Sequence, residues 1–240
     1  YYRSNIGGFA ILIKVMQEFG CKNIVFSSSA AVYGNPTQNP IKESSSVSPT
    51  SPYSHSKFVI EEMLRYLYSS DNTWQIVILR YFNPIGAHKS GLIGDNPNGI
   101  PNNIMPYISQ IAAGSLEKLK VFGDDYATDD GTGVRDYIHV IDLARGHIKA
   151  IEANGLNESL TINLGTGKGY SVLDLISAFE SCSGKKIPYE VVERRDGDVD
   201  SCYADISYAK EILGWTAEYD LIEMCEDAWR WQSKNPEGMK

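Results

Sequence analysis

Ile24-Val25-Phe26-Ser27-Ser28-Ser29 leads, after a loop rich in Pro and Ser, into Tyr53-Ser54-His55-Ser56-Lys57. The first segment is a short apolar run ending in hydroxyls, the pattern of a buried parallel strand. Ser29 then stands where an open α/β sheet presents its chemistry, at the carboxyl edge. A tyrosine and a lysine four apart share one face of a helix. A lysine ammonium there stabilises a phenolate and draws a tyrosine pKa down from about 10. A phenol tuned this way is a usable general base near neutral pH. Ser29, Tyr53 and Lys57 therefore predict a site that moves the proton of one substrate hydroxyl.

The Tyr-x-x-x-Lys spacing by itself says little. With 15 Tyr and 14 Lys in 240 residues, about one such pair arises by chance. Its context gives it meaning: it follows a buried-type strand and a serine cluster, and it opens a long apolar helix.

A chain of this length buries a sizeable core, as one large domain or two small ones. The net charge of −8 argues against a nonspecific nucleic-acid binder. Cys21, Cys182, Cys202 and Cys225 are far apart and lack metal spacing, so they read as reduced thiols of a cytoplasmic protein, with no metal site. No apolar run reaches 18 residues and no signal peptide is visible, which predicts no membrane association.

Apolar spacing predicts helices over about 4–19, 53–70, 104–115, 141–153, 171–183, 205–213 and 220–233, and strands at 23–27, 75–79, 119–122 and 160–163. Alternating strand and helix makes a parallel sheet the natural architecture. The helix at 53–70 carries Phe58, Val59, Ile60, Met63, Leu64, Leu67 and Tyr68, a wider apolar face than one core contact needs. After Pro84 the texture turns rich in Gly and Pro, as in a binding lobe built from loops.

A series of words carries an identification. Ser27-Ser28-Ser29-Ala30-Ala31-Val32-Tyr33-Gly34, Ser51-Pro52-Tyr53 and Arg80-Tyr81-Phe82-Asn83-Pro84 come first. Gly99-Ile100-Pro101-Asn102-Asn103-Ile104-Met105-Pro106-Tyr107 and Asp130-Gly131-Thr132-Gly133-Val134-Arg135-Asp136-Tyr137-Ile138-His139-Val140 follow. Asn163-Leu164-Gly165-Thr166-Gly167 and Arg194-Arg195-Asp196-Gly197-Asp198 complete the series. From Tyr1 to about Lys240 the chain resembles the UDP-glucose 4-epimerase (UDP-galactose 4-epimerase) group of the extended short-chain dehydrogenase/reductase family.

The resemblance implies an α/β fold: a Rossmann-type doubly wound parallel sheet with a smaller α/β substrate-binding domain. Residues 1–84 would be the remainder of an NAD-binding domain, 137–166 would return to it, and 85–240 would bind the UDP-sugar. It implies NAD-dependent inversion at C4 of a UDP-hexose through a 4-keto sugar, and a homodimer formed through the helices near 4–19 and 53–70. Tyr53 would take the C4 hydroxyl proton, Lys57 would hold the nicotinamide ribose, and Ser29 would bond the reacting oxygen. Ser4, Asn5, Ser27, Tyr81 and Phe82 match the cofactor region, although many relatives have Asn where Ser4 stands. Ala30, Ala31, Asn83, Asn102, Asn103 and Ile104 match positions around the sugar and diphosphate; Ala31 replaces a Thr common in relatives. Lys120, Val121 and Phe122 match the uracil cradle, Arg135 and Arg195 the diphosphate contacts, and Asp198 the uridine ribose, whereas Arg194 reads as a surface charge. Cys202 matches the position that gates sugar size. Its small side chain leaves room for an acetamido group, so UDP-N-acetylglucosamine and UDP-N-acetylgalactosamine are expected as further substrates.

A nicotinamide enzyme of this kind should begin with a strand and a Gly-rich phosphate loop. Tyr1-Tyr2-Arg3-Ser4-Asn5 instead resembles a mid-domain helix of the family. The expectation is that the amino-terminal half of the dinucleotide domain is missing and that this stretch alone is inactive. Gly165-Thr166-Gly167-Lys168-Gly169 imitates a glycine fingerprint but lacks a following ribose-binding acid, and reads as a strand-to-helix turn. The alternatives are another nucleotide-sugar enzyme of the same family, or a non-catalytic binding protein on the same scaffold. A dehydratase would need an extra acid beside Ser29, and Ala30-Ala31 supply none.

Overall fold

The strand 75–79 of the sequence reading is the centre of a parallel sheet. In the computed structural model, which describes residues 1–153 and 159–238, it runs Gln75–Tyr81 between Asn23–Ser29 and Ser159–Leu164. Ile76, Val77, Ile78 and Leu79 are all buried, as expected of a strand covered on both faces. The register aligns Ser28 with Arg80 and Ser29 with Tyr81, and Tyr81 with Leu164 on the third strand.

This sheet belongs to the first of two compact units, Tyr1–Phe82, Arg145–Leu164 and Ala204–Thr216. The helix Pro52–Ser70 packs on the sheet through Ile60 and Leu64, which join Phe9, Trp74, Ile76 and Ile78 in one core. It starts sharply because Ser51 and Ser54 cap each other and Pro52 stands at the first helical position. The amino-terminal helix opens with wide turns over Arg3–Gly7 and continues as an α-helix over Gly8–Glu18. The strand ending at Ser29 passes into a tight helical turn, Ala30–Tyr33, closed by Gly34 at φ 64°. A side chain there would strike the Ser48 carbonyl, so glycine is required.

The second unit comprises Asn83–Ala144, Gly165–Tyr203 and Ala217–Lys240. Its helices Ile104–Ala112, Val172–Ser183 and Leu221–Lys234 share a core of Met105, Ile108, Leu175, Phe179 and Met224. Small sheets surround them. Asn83–Ile85 pairs in parallel with Tyr137–His139, and Leu119–Phe122 with Tyr189–Val192. Val134–Arg135 lies between Ser201–Cys202 and Tyr170–Ser171.

Several sequence expectations shift. The first strand reaches Ser29, two residues beyond the predicted end, because the sheet register continues through the serines. The helix predicted over 104–115 stops at Ala112, where Gly114 takes φ 82°. The Gly165–Gly169 turn feeds a two-residue strand before its helix. The helix predicted from 141 to 153 runs Val140–Glu152.

Candidate functional site

The first unit contains Ser29, Tyr53 and Lys57, the residues expected from the sequence to move a proton. Ser29 ends its strand with its Oγ accepting the Ala31 amide at 3.2 Å, which caps the turn below it. Ala30 is buried and Ala31 exposed. Tyr53 lies in the first turn of Pro52–Ser70, half-buried, with its ring edge against Tyr1 at 5.6 Å. Lys57, one turn later, donates from Nζ to the Ser27 carbonyl at 2.8 Å, and its Nζ is 5.8 Å from the centre of the Tyr53 ring. Half-burial lowers the Lys57 pKa from the ordinary lysine value.

Tyr81, in register with Ser29, completes the row. Its pKa is raised by burial and by the neighbouring Tyr53, against a hydrogen bond with Ser27. Ser27 Oγ also lies 2.9 Å from His147 Nε2. Phe82 is buried and its amide donates to the Leu164 carbonyl at 3.1 Å. Asn5 uses its amide on Ser56 Oγ at 2.9 Å, and Ser4 is exposed on the wide-turn segment. A nicotinamide riboside fits this donor set. An ammonium has three donors, and the Lys57 bond to Ser27 occupies one at the carboxyl edge of parallel strands.

The second unit holds a cavity of about 410 Å³. Asn83, Asn102, Asn103, Ile104, Lys120, Val121, Phe122, Arg135, Arg195 and Asp198 all line it, from five separate stretches of sequence. Arg135 is held by the Val134 and Val199 carbonyls, each at 2.8 Å, with Asp198 3.6 Å from its fork. Arg195 lies over the Phe122 ring at 4.2 Å and 3.3 Å from Asp198. Two guanidinium groups beside stacked aromatic surface suit a diphosphate and a base. Cys202 is not part of this lining. It is half-buried beside Arg135 on the paired strand, and burial raises its thiol pKa to about 11. Arg194 is directed elsewhere, bonded to Asp125 at 2.6 Å and stacked on Tyr126.

Sequence reasoning missed Tyr107, Tyr126 and Tyr137, which also line the cavity, and nothing in their spacing marks them. It also missed what the glycine loop does. The amides of Thr166 and Gly167 donate to the two carboxylate oxygens of Asp136, at 2.8 and 3.0 Å. The loop therefore grips a protein carboxylate, as other glycine loops grip phosphate.

A parallel sheet with Ser29 at its carboxyl edge, a helix beside it carrying Tyr53 and Lys57, and a cation-lined cavity in the second unit together define an extended short-chain dehydrogenase/reductase. The family described as GDP-mannose 4,6 dehydratase matches residues 1–228. The chain is 60% identical to the mouse UDP-glucose 4-epimerase over 242 residues, covering 99% of this chain and 69% of that protein. It is 55% identical to the Bacillus subtilis UDP-glucose 4-epimerase, covering 100% of this chain and 71% of the other. It superposes on a crystal structure of UDP-glucose 4-epimerase from Bifidobacterium longum in complex with NAD+ and UDP with a TM-score of 0.97, at 49% identity, covering 100% of this chain and 72% of that one. Within that class, the chain belongs to the UDP-glucose 4-epimerase family.

Proposed function

We propose that the protein inverts C4 of UDP-hexoses, interconverting UDP-galactose and UDP-glucose through a 4-keto sugar with bound NAD. The reading is supported by the Lys57 bond to the Ser27 carbonyl, which ties the helix bearing Tyr53 and Lys57 to the strand that ends at Ser29, in a member of this family. Bound NAD, held by Lys57 and the residues around Tyr81, would supply a hydride acceptor and donor at C4. Tyr53 removes the C4 hydroxyl proton and later restores it. Ser29 hydrogen-bonds the reacting oxygen. Lys57 binds the nicotinamide ribose and places its charge 5.8 Å from the Tyr53 ring centre. Tyr81, Phe82, Ser27, Asn5 and Ser4 form the cofactor side. Arg135 and Arg195 hold the diphosphate, Phe122 and its neighbours the uracil, and Asp198 the ribose. Residues 1–84 with 137–166 act as the dinucleotide part and 85–240 as the UDP-sugar part.

Dehydration is disfavoured by the carboxylates bonded to this sheet. Glu61 is tied to Ser28 and Arg80, and Glu43 accepts the Asn163 amide at 2.8 Å. Neither is free to expel water beside Ser29. The protein functions as a cytoplasmic homodimer: its cysteines are free thiols, and Ile11, Leu12, Val15, Phe19 and Tyr66 expose an apolar face on the two helices expected to pair. Among the described residues no helix is long and apolar enough to cross a membrane.

The test is Tyr53→Phe in the enzyme produced at the full length of its gene. Loss of turnover by about 10²–10⁴-fold with UDP binding intact fits a general base. Wild-type turnover in the variant would refute the assignment.

A further inference from the structure

The row of sheet residues just below the catalytic row is gripped by one carboxylate. Ser28 and Arg80 are register partners on adjacent strands, and the next row holds Ser29 and Tyr81. Glu61 Oε1 accepts Ser28 Oγ at 2.5 Å and Arg80 Nε at 3.0 Å. Its Oε2 accepts Arg80 Nη2 at 2.5 Å and Arg65 Nη2 at 2.8 Å. Ser28, Glu61 and Arg80 are at most 2% exposed. Tyr53, Lys57 and Glu61 follow one another at intervals of four along the helix, so they share one stripe.

We propose that Glu61 is a positioning residue for the reaction: it fixes the height of the helix bearing Tyr53 and Lys57 against the strand bearing Ser29. This rests on the epimerase reading above. Two consecutive helix turns are stitched to two consecutive strand residues, Lys57 to the Ser27 carbonyl and Glu61 to the Ser28 hydroxyl. Successive strand side chains point to opposite faces. His147 meets Ser27 on one face while Glu61 meets Ser28 on the other, so the strand end is clamped from both sides.

Stability alone is a weak reason for such a group. Buried ion pairs roughly break even against apolar packing of the same volume. A two-point arginine fork with a hydroxyl in the same carboxylate supplies geometry instead. The gain is large in catalysis, because a misplacement of about 1 Å between reacting groups costs about 10²-fold.

The experiment compares Glu61→Gln and Ser28→Ala with wild type at full gene length. Glu61→Gln is expected to lower kcat for UDP-galactose about 10–100-fold with KM within about threefold. Deuterium at C4 should then give a larger isotope effect on kcat, since hydride transfer becomes slower relative to other steps. Ser28→Ala, which leaves the Arg80 pair in place, should move kcat and the isotope effect in the same direction by several-fold, and it decides the matter if Glu61→Gln fails to fold. Wild-type kcat and isotope effect in folded variants, with only the melting temperature lowered, would overturn the proposal. If the wild type itself does not epimerise, the proposed function falls and amide exchange reads the clamp: faster exchange confined to 27–31 and 53–58 in the variants supports it, and unchanged exchange there overturns it.

Discussion

The Lys57 ammonium donates to the main-chain carbonyl of Ser27, 2.8 Å away, so the helix Pro52–Ser70 is anchored to the strand that ends at Ser29. Lys57→Met removes both the charge and the anchor. It is expected to lower kcat by about 10²–10⁴-fold. Lys57→Arg should recover little, because a planar fork cannot replace a point charge on a carbonyl and a ribose. Steady-state turnover of UDP-galactose measures both; near-normal kcat in Lys57→Met would remove the lysine from the mechanism.

Arg195 is solvent-accessible and packs on Phe122. Arg195→Ala is expected to weaken UDP binding about tenfold, about 1.4 kcal/mol, and to raise KM in step while kcat stays within about threefold. Calorimetric titration with UDP reads the first effect. An unchanged UDP affinity would show that the guanidinium is only a surface charge.

Cys202 lies outside the cavity lining but is the register partner of Arg135, which lines it, so a larger side chain there would reach the cavity only past Arg135. Cys202→Tyr is expected to abolish interconversion of UDP-N-acetylglucosamine and UDP-N-acetylgalactosamine while sparing UDP-galactose. Equal loss of both activities would mean that this position does not gate sugar size.

The catalytic segment was legible because its signals are local. A run of apolar residues ending in serines makes the strand, and Ser51-Pro52 with Ser54 makes the helix start. Strands of two or three residues, such as Val134–Arg135 and Ser201–Cys202, are too short to show a period, and they form only because distant segments pair. The Asp136 grip on Thr166 and Gly167 joins residues 30 and 31 positions apart, so the sequence shows the glycine loop as a turn but not the carboxylate it holds. Nothing in the sequence singles out Glu61, because its partners Ser28 and Arg80 meet only through the register of two strands.

His139 gives a pH dependence of stability. It is fully buried, with Asp227 at 3.3 Å and Tyr219 stacked at 4.1 Å. Burial lowers its pKa from the usual value despite the nearby carboxylates of Asp227, Asp142 and Glu223. The unfolded chain therefore binds the extra proton first. Stability is expected to fall as pH drops below about 6.5 and to level off once the pH passes the depressed native pKa. Thermal melts from pH 7.5 to 5.5 should show this slope in wild type and a weaker one in His139→Gln; equal slopes would assign the effect to other groups.

Tyr66 is 73% exposed beside a groove lined by Phe58, Val59, Met63 and Leu67. On the proposed pairing of these helices, the wild type is expected to sediment as a dimer and Tyr66→Glu as a monomer, with no lower melting temperature for the isolated subunit. A variant that stays dimeric would place the subunit interface elsewhere.

The central claim is an internal transfer of hydride at C4. UDP-galactose carrying deuterium at C4, incubated with the full-length enzyme and NAD+ and followed by proton NMR, tests it most directly. The account predicts UDP-glucose formed in H2O that keeps its deuterium at C4 and takes up no protium there from solvent. Failure to form UDP-glucose, or product in which the label has exchanged with water, would contradict it.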